Sequence, residues 1–534
     1  MTVTATPPPP AAKDEKKKEE PKQKSSDSIR IVKLVLGMCK KGIGGELFHD
    51  ANGDTYLYAP VVLKDDKISY FETYALKGGA CREFMRRAYF NHCGRTASGS
   101  ALRDAAETLS GSAAVREMHP VYTRLASFDD RVIIDLGTED RRVVIVTALE
   151  WTIAPCPPDV RMLRPAGSGM RPLPMPERGE APLVELIPRI LNVHTDDLDN
   201  MYLLIGWWIV SLRGKGPFLV LVLRGGSGSA KSNGLLIARG LVDPNSASKN
   251  HVPRDPRDLV IAVQNCYMLS IDNVSHLNEE IADAICVLAT GGGLRTRRLH
   301  TDSDEAIFNK KAPVVMNGIP DVLGRADLAA RAVVVELQPI SESQRKTETE
   351  IEALKTEVMP LIFGRLLDAL QGVLSLEGST RPVNLPRMAD VAVLLTAAEP
   401  SLGLEPETFI NLLRRQADDA ADAVLESNED LLPPILHVTE NATVAWEGEL
   451  KDLVGAMPPS EDSRKPWTTK RLANALRRLS ESLLRVNIRV VPPSWRTKLD
   501  GTHPEKRLWR FEPANVVSGE TSVEPKPPTD DLPF

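Results

Sequence analysis

The stretch FLVLVLRGGSGSAKSNGLLIARGL, residues 218–241, constrains this chain more than any other part of it. An apolar strand pattern from Phe218 to Leu223 runs into Gly225, Gly226, Ser227, Gly228, Ser229 and Ala230. Lys231, Ser232 and Asn233 then open a helical pattern. Strand, glycine-rich turn, Lys-Ser and helix in this order make a phosphate loop, with Ala230 standing where the last glycine is usual. Glycines let the backbone wrap so that N–H groups point inward at an anion. The helix adds the positive end of its dipole. Lys231 is placed to reach β- and γ-phosphates, and the Ser232 hydroxyl to hold Mg²⁺. ATP and Mg²⁺ are the ligands expected.

Such a loop needs an acid on a neighbouring strand. CYMLSI, residues 266–271, is a strand pattern that ends in Asp272, the expected second magnesium ligand. Asn273 follows where a second acid is usual, and an amide cannot take a proton from water. The base is then Asp272 itself, or Glu279 or Glu280 of the next helix. A third strand, Ala312 to Met316, ends in Asn317, placed to sense a γ-phosphate or orient water. Arg325 and Arg331 lie within RADLAARAVVVEL. Arg331 directly precedes a strand and is the favoured transition-state cation, its alternative being an ion pair with Asp327.

The 534 residues suggest several domains, and 42% apolar content is enough for real cores. A formal charge of −6 excludes a polycation, so nucleic-acid contact must come from local patches. The six cysteines form no CxxC pair and no zinc spacing, which fits a reducing compartment. The N-terminus lacks a signal-peptide core, and the longest apolar stretch, Met201 to Leu212, is too short to span a bilayer and reads as a buried helix with two tryptophans. A cytoplasmic protein is expected.

The expected organisation is a disordered tail (1–28), an α+β N-terminal domain (29–154), a Pro-rich linker (155–182), an α/β core (183–340), a helical lid (341–433), a winged-helix domain (434–512) and a disordered acidic tail (513–534). In the N-terminal domain, DTYLYAPVV and DDRVIIDLG read as strands, and Ser98 to Ala113 as a helix capped by Ser98 or Ser100. The pairs Asp129-Asp130 and Asp50/Asp54 read as turn and strand-cap residues rather than metal ligands.

The succession GGSGSAKS, CYMLSIDN, GGGLRTRRLH, APVVMNG and LAARAVVVEL resembles the superfamily 3 helicases, above all the helicase halves of phage- and poxvirus-type primase-helicases. It also resembles ATP-binding proteins of prophages and integrative elements. The likeness covers about 183–337 and loosens toward 427. It implies an AAA+-like core, a homo-hexameric ring and movement on single-stranded or forked DNA. It also implies a channel-facing basic hairpin, here Arg295, Arg297, Arg298 and His300. Ala230 and Asn273 depart from the family pattern.

Between Arg464 and Arg510 stand thirteen Lys or Arg residues against three acids. Helix, strand, loop and strand there read as a winged helix whose basic helix, capped by Thr468 or Thr469, carries Lys470, Arg471, Arg477 and Arg478. Asp530, Asp531, Leu532, Pro533 and Phe534 resemble the acidic tip of bacterial single-stranded-DNA-binding proteins, which implies docking of host replication proteins.

Three functions follow: a replicative helicase of a mobile element; an ATP-switched initiator or helicase loader with slow turnover; and, last, a primase-helicase. No metal-binding carboxylate set in 29–154 supports the third, so a primase would be a separate chain. No membrane partner is expected.

Overall fold

The computed structural model describes residues 26–40, 43–62, 68–247, 251–297, 305–308, 310–318, 326–426, 431–455, 467–493 and 508–514. They fall into two compact units, divided between Pro120 and Val121.

The first unit contains α1 (Asp27–Met38), β1 (Glu46–His49), β2 (Thr55–Val62), β3 (Ile68–Ala75), α2 (Gly79–Cys93) and α3 (Gly99–Ala113). The strands form an antiparallel sheet in the order β1-β2-β3. Ile31, Val35, Leu57, Phe84, Met85, Tyr89, Leu102 and Leu109 share one core, so the 3.6 period of the helices meets the period-2 face of the sheet. Ser98 caps α3 by accepting from the Ala101 N–H. Asp50 accepts from the Asn52 and Asp54 N–H groups at 2.9 Å, the turn role expected of it.

The second unit begins with β4 (Val121–Tyr122), β5 (Leu125–Ser127), β6 (Arg131–Asp135), β7 (Arg142–Thr147), β8 (Trp151–Pro155) and β9 (Arg161–Met162). Strands β5 to β8 form an antiparallel meander. Their apolar residues Val132, Ile134, Val144 and Trp151 lie in the same core as Leu221, Trp207 and Phe363. The division at 120/121 therefore differs from the expected one at 154. The Pro-rich stretch 155–182 is also no free linker. Leu173 N–H bonds to the Leu136 carbonyl and Glu177 N–H to the Pro360 carbonyl.

Next come α4 (Leu183–Ile190), α5 (Leu198–Arg213), β10 (Val220–Arg224), α6 (Lys231–Gly240), α7 (Pro256–Asn265), β11 (Leu269–Val274), α8 (Glu279–Thr290), β12 (Leu294–Arg297), β13 (Glu305–Phe308), β14 (Val314–Gly318), α9 (Ala326–Ala329) and β15 (Ala332–Glu336). Four strands make a parallel sheet in the order β11-β14-β10-β15. Alternation along β10 serves two cores: Leu221 and Leu223 face α5 and α6, while Val220 and Val222 face α7 and α8. Helix α5 is buried as expected. The indole N–H groups of Trp207 and Trp208 are satisfied by the carbonyls of Leu219 and Ala238, both at 3.0 Å.

Helices α10 (Glu348–Leu376), α11 (Ala389–Leu402) and α12 (Thr408–Glu426) follow. Thr347 and Glu350 form a capping box that starts α10. By length and composition α10 could cross a membrane, which was not expected, but its Ile362, Phe363, Leu366, Leu367 and Leu370 lie in the core around α5. Gly364 is required where the 155–182 stretch crosses this helix, since a Cβ there would lie 1.8 Å from the Glu177 carbonyl oxygen.

The chain continues with α13 (Leu432–Val438), β16 (Trp446–Gly448), α14 (Leu450–Gly455), α15 (Thr469–Arg485), β17 (Ile488–Val491) and β18 (Trp509–Pro513). The strands form an antiparallel sheet, β16-β18-β17. Leu472, Leu476, Leu479 and Leu483 of α15 close a core of their own with Ile435, Trp509 and Phe511. Thr468, not Thr469, caps α15 through the Arg471 N–H. Strand β16, three residues long, was not expected from the sequence.

A buried ion network, invisible in the sequence, ties the meander to the parallel sheet. Arg124 Nε donates to Asp243 Oδ1 at 2.9 Å, and both side chains are buried. Arg124 also donates to the carbonyls of Asp135 and Arg171, while the other oxygen of Asp243 accepts from Tyr267 N–H at 2.9 Å. A buried pair survives when its remaining hydrogen-bonding capacity is met, as it is here.

Candidate nucleotide site

The turn after β10 is held by its backbone. Gly225 has φ 153°, and a Cβ on it would lie 2.4 Å from the Leu337 carbonyl oxygen. Gly228 sits at φ 78°. Ser229 Oγ donates back to the Gly226 carbonyl at 2.9 Å, and Ile340 N–H reaches the Gly228 carbonyl at 3.2 Å. Ala230 precedes α6 at φ 56°, ψ 34°, in the left-handed region that glycine would enter without strain. Ser227 and Gly226 lie in the same turn, and half-buried Asn233 in the first turn of α6.

Lys231 folds back over this turn. Its Nζ donates to the carbonyls of Gly225 at 2.7 Å and Gly226 at 2.8 Å. Ser232 points the other way, its Oγ donating to Asp272 Oδ1 at 2.9 Å. That same oxygen accepts from Asn317 Nδ2 at 2.7 Å. Asn317 is buried, and its Oδ1 in turn accepts from Asn273 N–H at 2.5 Å. So Ser232, Asp272 and Asn317, forty and forty-five residues apart along the chain, meet at the carboxyl ends of three parallel strands. In open parallel sheets ligands bind at that edge.

Two features of this meeting were not legible in the sequence. Strand β11, which carries Asp272, is not the neighbour of β10; β14 lies between them, and that is why Asn317 can bridge. The β11–β14 register also shifts between Ile271 and Val274, with Asn273 at φ 59°. The bulge swings Asp272 toward Ser232. Gly318 accommodates it, because a Cβ there would lie 2.1 Å from the Val274 carbonyl oxygen.

Oxygen donors from Ser232 and Asp272, already within hydrogen-bond distance, suit a hard cation such as Mg²⁺, which takes one or two protein oxygens and otherwise water. Glu279 and Glu280 occupy the exposed first turn of α8, after the Asn278 cap.

The remaining expected residues are placed less centrally. Arg331 Nη1 donates to the Asp327 carbonyl at 2.6 Å and lies 3.4 Å from its carboxylate, which also takes Arg387 at 3.1 Å. This is the ion pair with Asp327 expected as its alternative role. Arg295 and Arg297 stand on β12, opposite Ile307 and Glu305 of β13. Arg298, His300 and Arg325 lie outside the described residues, as do Asp530, Asp531, Leu532, Pro533 and Phe534. On α15, Lys470 and Arg477 are exposed. The Arg477 guanidinium lies 5.4 Å from the Trp509 ring centre, and that of Arg471 4.3 Å from Trp467. The side chain of Arg478 is outside the described set.

With this geometry in hand, the chain is a mixed α/β protein whose parallel sheet carries a glycine-rich loop facing an acid and an amide. Residues 184–422, α4 through most of α12, match a family model described as actinomycete integrative conjugative element replication protein. The chain is thus similar, over its central part, to a family of replication proteins. No match is found among curated proteins. Among solved structures, the C-terminal region of NrS-1 aligns at 11% identity over 86% of this chain and 90% of its own, with a TM-score of 0.36. A full-length MCM homolog from Methanopyrus kandleri aligns at 12% identity over 56% and 75%, with a TM-score of 0.26. The JCV helicase aligns at 16% over 44% and 69%, with a TM-score of 0.21. These likenesses are too distant to carry a function across.

Proposed function

We propose that the chain is an ATP-driven DNA motor acting in the replication of a mobile genetic element, with its nucleotide site at Lys231, Ser232 and Asp272. The observation that carries this is the convergence of Ser232 and Asn317 on one oxygen of Asp272, beside a glycine turn over which Lys231 is folded. In this reading Lys231 leaves the Gly225 and Gly226 carbonyls for phosphate oxygens. Ser232 and Asp272 hold Mg²⁺, whose role is to neutralise phosphate charge. Asn317 keeps Asp272 aimed and offers its amide to the attacking water. The core is AAA+-like and assembles as a hexamer, with Arg331 or Arg325 supplied across the subunit contact and the β12–β13 ribbon facing DNA. Segment 341–433 acts as the lid. Helices α13, α14 and α15 with their three-stranded sheet act as a winged helix that grips DNA through Lys470, Arg471, Arg477 and Arg478, and the DDLPF tip recruits replication partners.

A second reading, an ATP-switched initiator or loader, is favoured by one residue. Asn273 stands where a base is usual, with its N–H bound to Asn317. Both readings require ATP·Mg to bind, and calorimetry on wild type and Lys231→Ala tests that: heat with the first and none with the second is expected. Unwinding of a forked duplex with ATP supports the motor. Tight binding without unwinding supports the switch.

A further inference from the structure

We propose that the acidic end of α12 is a built-in competitor for the polyanion bound by the C-terminal module, holding α15 through Arg485 until phosphates displace it. This rests on reading that module as DNA-binding.

Arg485 lies in the last turn of α15. Its Nη1 is 3.3 Å from Asp418 Oδ1 and its Nη2 3.3 Å from Asp422 Oδ2. The two carboxylates are four residues apart on α12, so they share one face of that helix and present two acceptors to one planar guanidinium. The charges around the contact are lopsided. Residues 418–430 hold six acids and no base, while 464–510 hold thirteen bases and three acids. The lid helix thus offers the basic module what a DNA backbone offers: closely spaced anions. Both aspartates are more than half exposed and Arg485 is one-third exposed. Pairs of this kind are weak and screened by salt, as a displaceable contact must be. On the same helix, Gln416 Oε1 accepts from Val334 N–H at 2.8 Å, on β15. That strand pairs with β10, which leads into the glycine turn. Release of α15 therefore unloads a helix seated on the nucleotide-site sheet.

The test is a double-mutant cycle on the full chain. Affinity for a short labelled DNA duplex is measured at fixed low salt for wild type, D418N/D422N, R485Q and the triple variant. D419N serves as a charge control, removing an anion from the same turn that is not an Arg485 partner. Backbone hydrogen exchange of α15 is followed without DNA. D418N/D422N is expected to bind about threefold or more tightly, and D419N much less so. R485Q is expected to cost little alone and to weaken binding in the D418N/D422N background, where Arg485 has become available to phosphate. The end of α15 should exchange faster in D418N/D422N. Equal affinities for D418N/D422N and D419N with unchanged α15 exchange overturn the competitor. Faster exchange with no DNA binding by any form overturns instead the DNA-binding reading of the module, and the competitor with it.

Discussion

Replacing Asn317 by alanine removes two hydrogen bonds at once. One is the 2.7 Å donation to the Asp272 carboxylate; the other is the 2.5 Å acceptance from Asn273 N–H, which pins the bulge. A bond to an ionised acceptor is worth about 1.5–3 kcal/mol and a neutral one about 0.5–1.5 kcal/mol. Asn317 is buried in β14, so water does not replace both. The expected loss is about 2–4 kcal/mol of stability, read as a fall in the denaturant midpoint of the unit containing the sheet. Under the proposed function the loss of activity is larger, because Asp272 is then aimed by Ser232 alone, and ATP turnover should fall by about a hundredfold. Asn317→Asp separates the two roles. It keeps an acceptor for Asn273 but sets a second anion against Asp272, so the bulge survives while binding of Mg²⁺ and nucleotide changes. Unchanged unfolding and unchanged turnover in Asn317→Ala would refute the bridge.

Other outcomes follow from single contacts. Ala230→Gly relieves a left-handed alanine at φ 56° and should raise stability by about 0.5–1 kcal/mol in denaturant titration, with nucleotide affinity unchanged. Gly364→Ala places a methyl 1.8 Å from the Glu177 carbonyl oxygen and should cost on the order of 3 kcal/mol, visible as lost thermal stability or insoluble protein. Lys310 Nζ donates to the Val263 and Cys266 carbonyls, and burial, partly opposed by Asp243, lowers its pKa from 10.5 to about 8. Between those values the unfolded chain binds the extra proton, so this group makes stability rise with pH from about 8 to 10.5, by up to about 3 kcal/mol. Denaturant titrations across that window should show the rise in wild type and lose it in Lys310→Met.

The glycine turn, the Asp272 strand end and the Asn317 strand end were legible because each is a local pattern: a short, largely apolar run that stops at a glycine turn or a polar side chain. Helices α3 and α15 were legible through their patterns and caps, and α5 through its unbroken apolar stretch. The division at 120/121 was not, because the central meander strands, RVIID and RVVIVT, are apolar on both faces, and nothing in their residues says which core each face joins. Prolines in 155–182 suggested a linker, yet they also suit an extended strap whose N–H groups bond only intermittently. Glu177 finds its partner on α10 and Leu173 at Leu136, just past β6, far away in the chain.

By itself the sequence determined the glycine turn with Lys231 and Ser232, the strand that ends in Asp272, and the caps of helices such as α3, since caps, glycines and hydrophobic period act within a few residues. Tertiary structure alone decided that β14 enters between β10 and β11, that Asp272 therefore meets Ser232 through a bulge bridged by Asn317, and that Asp243 is neutralised by Arg124. The reason is physical: strand order and buried charge pairing are settled by which surfaces exclude water together, and residues more than a hundred positions apart share in that choice.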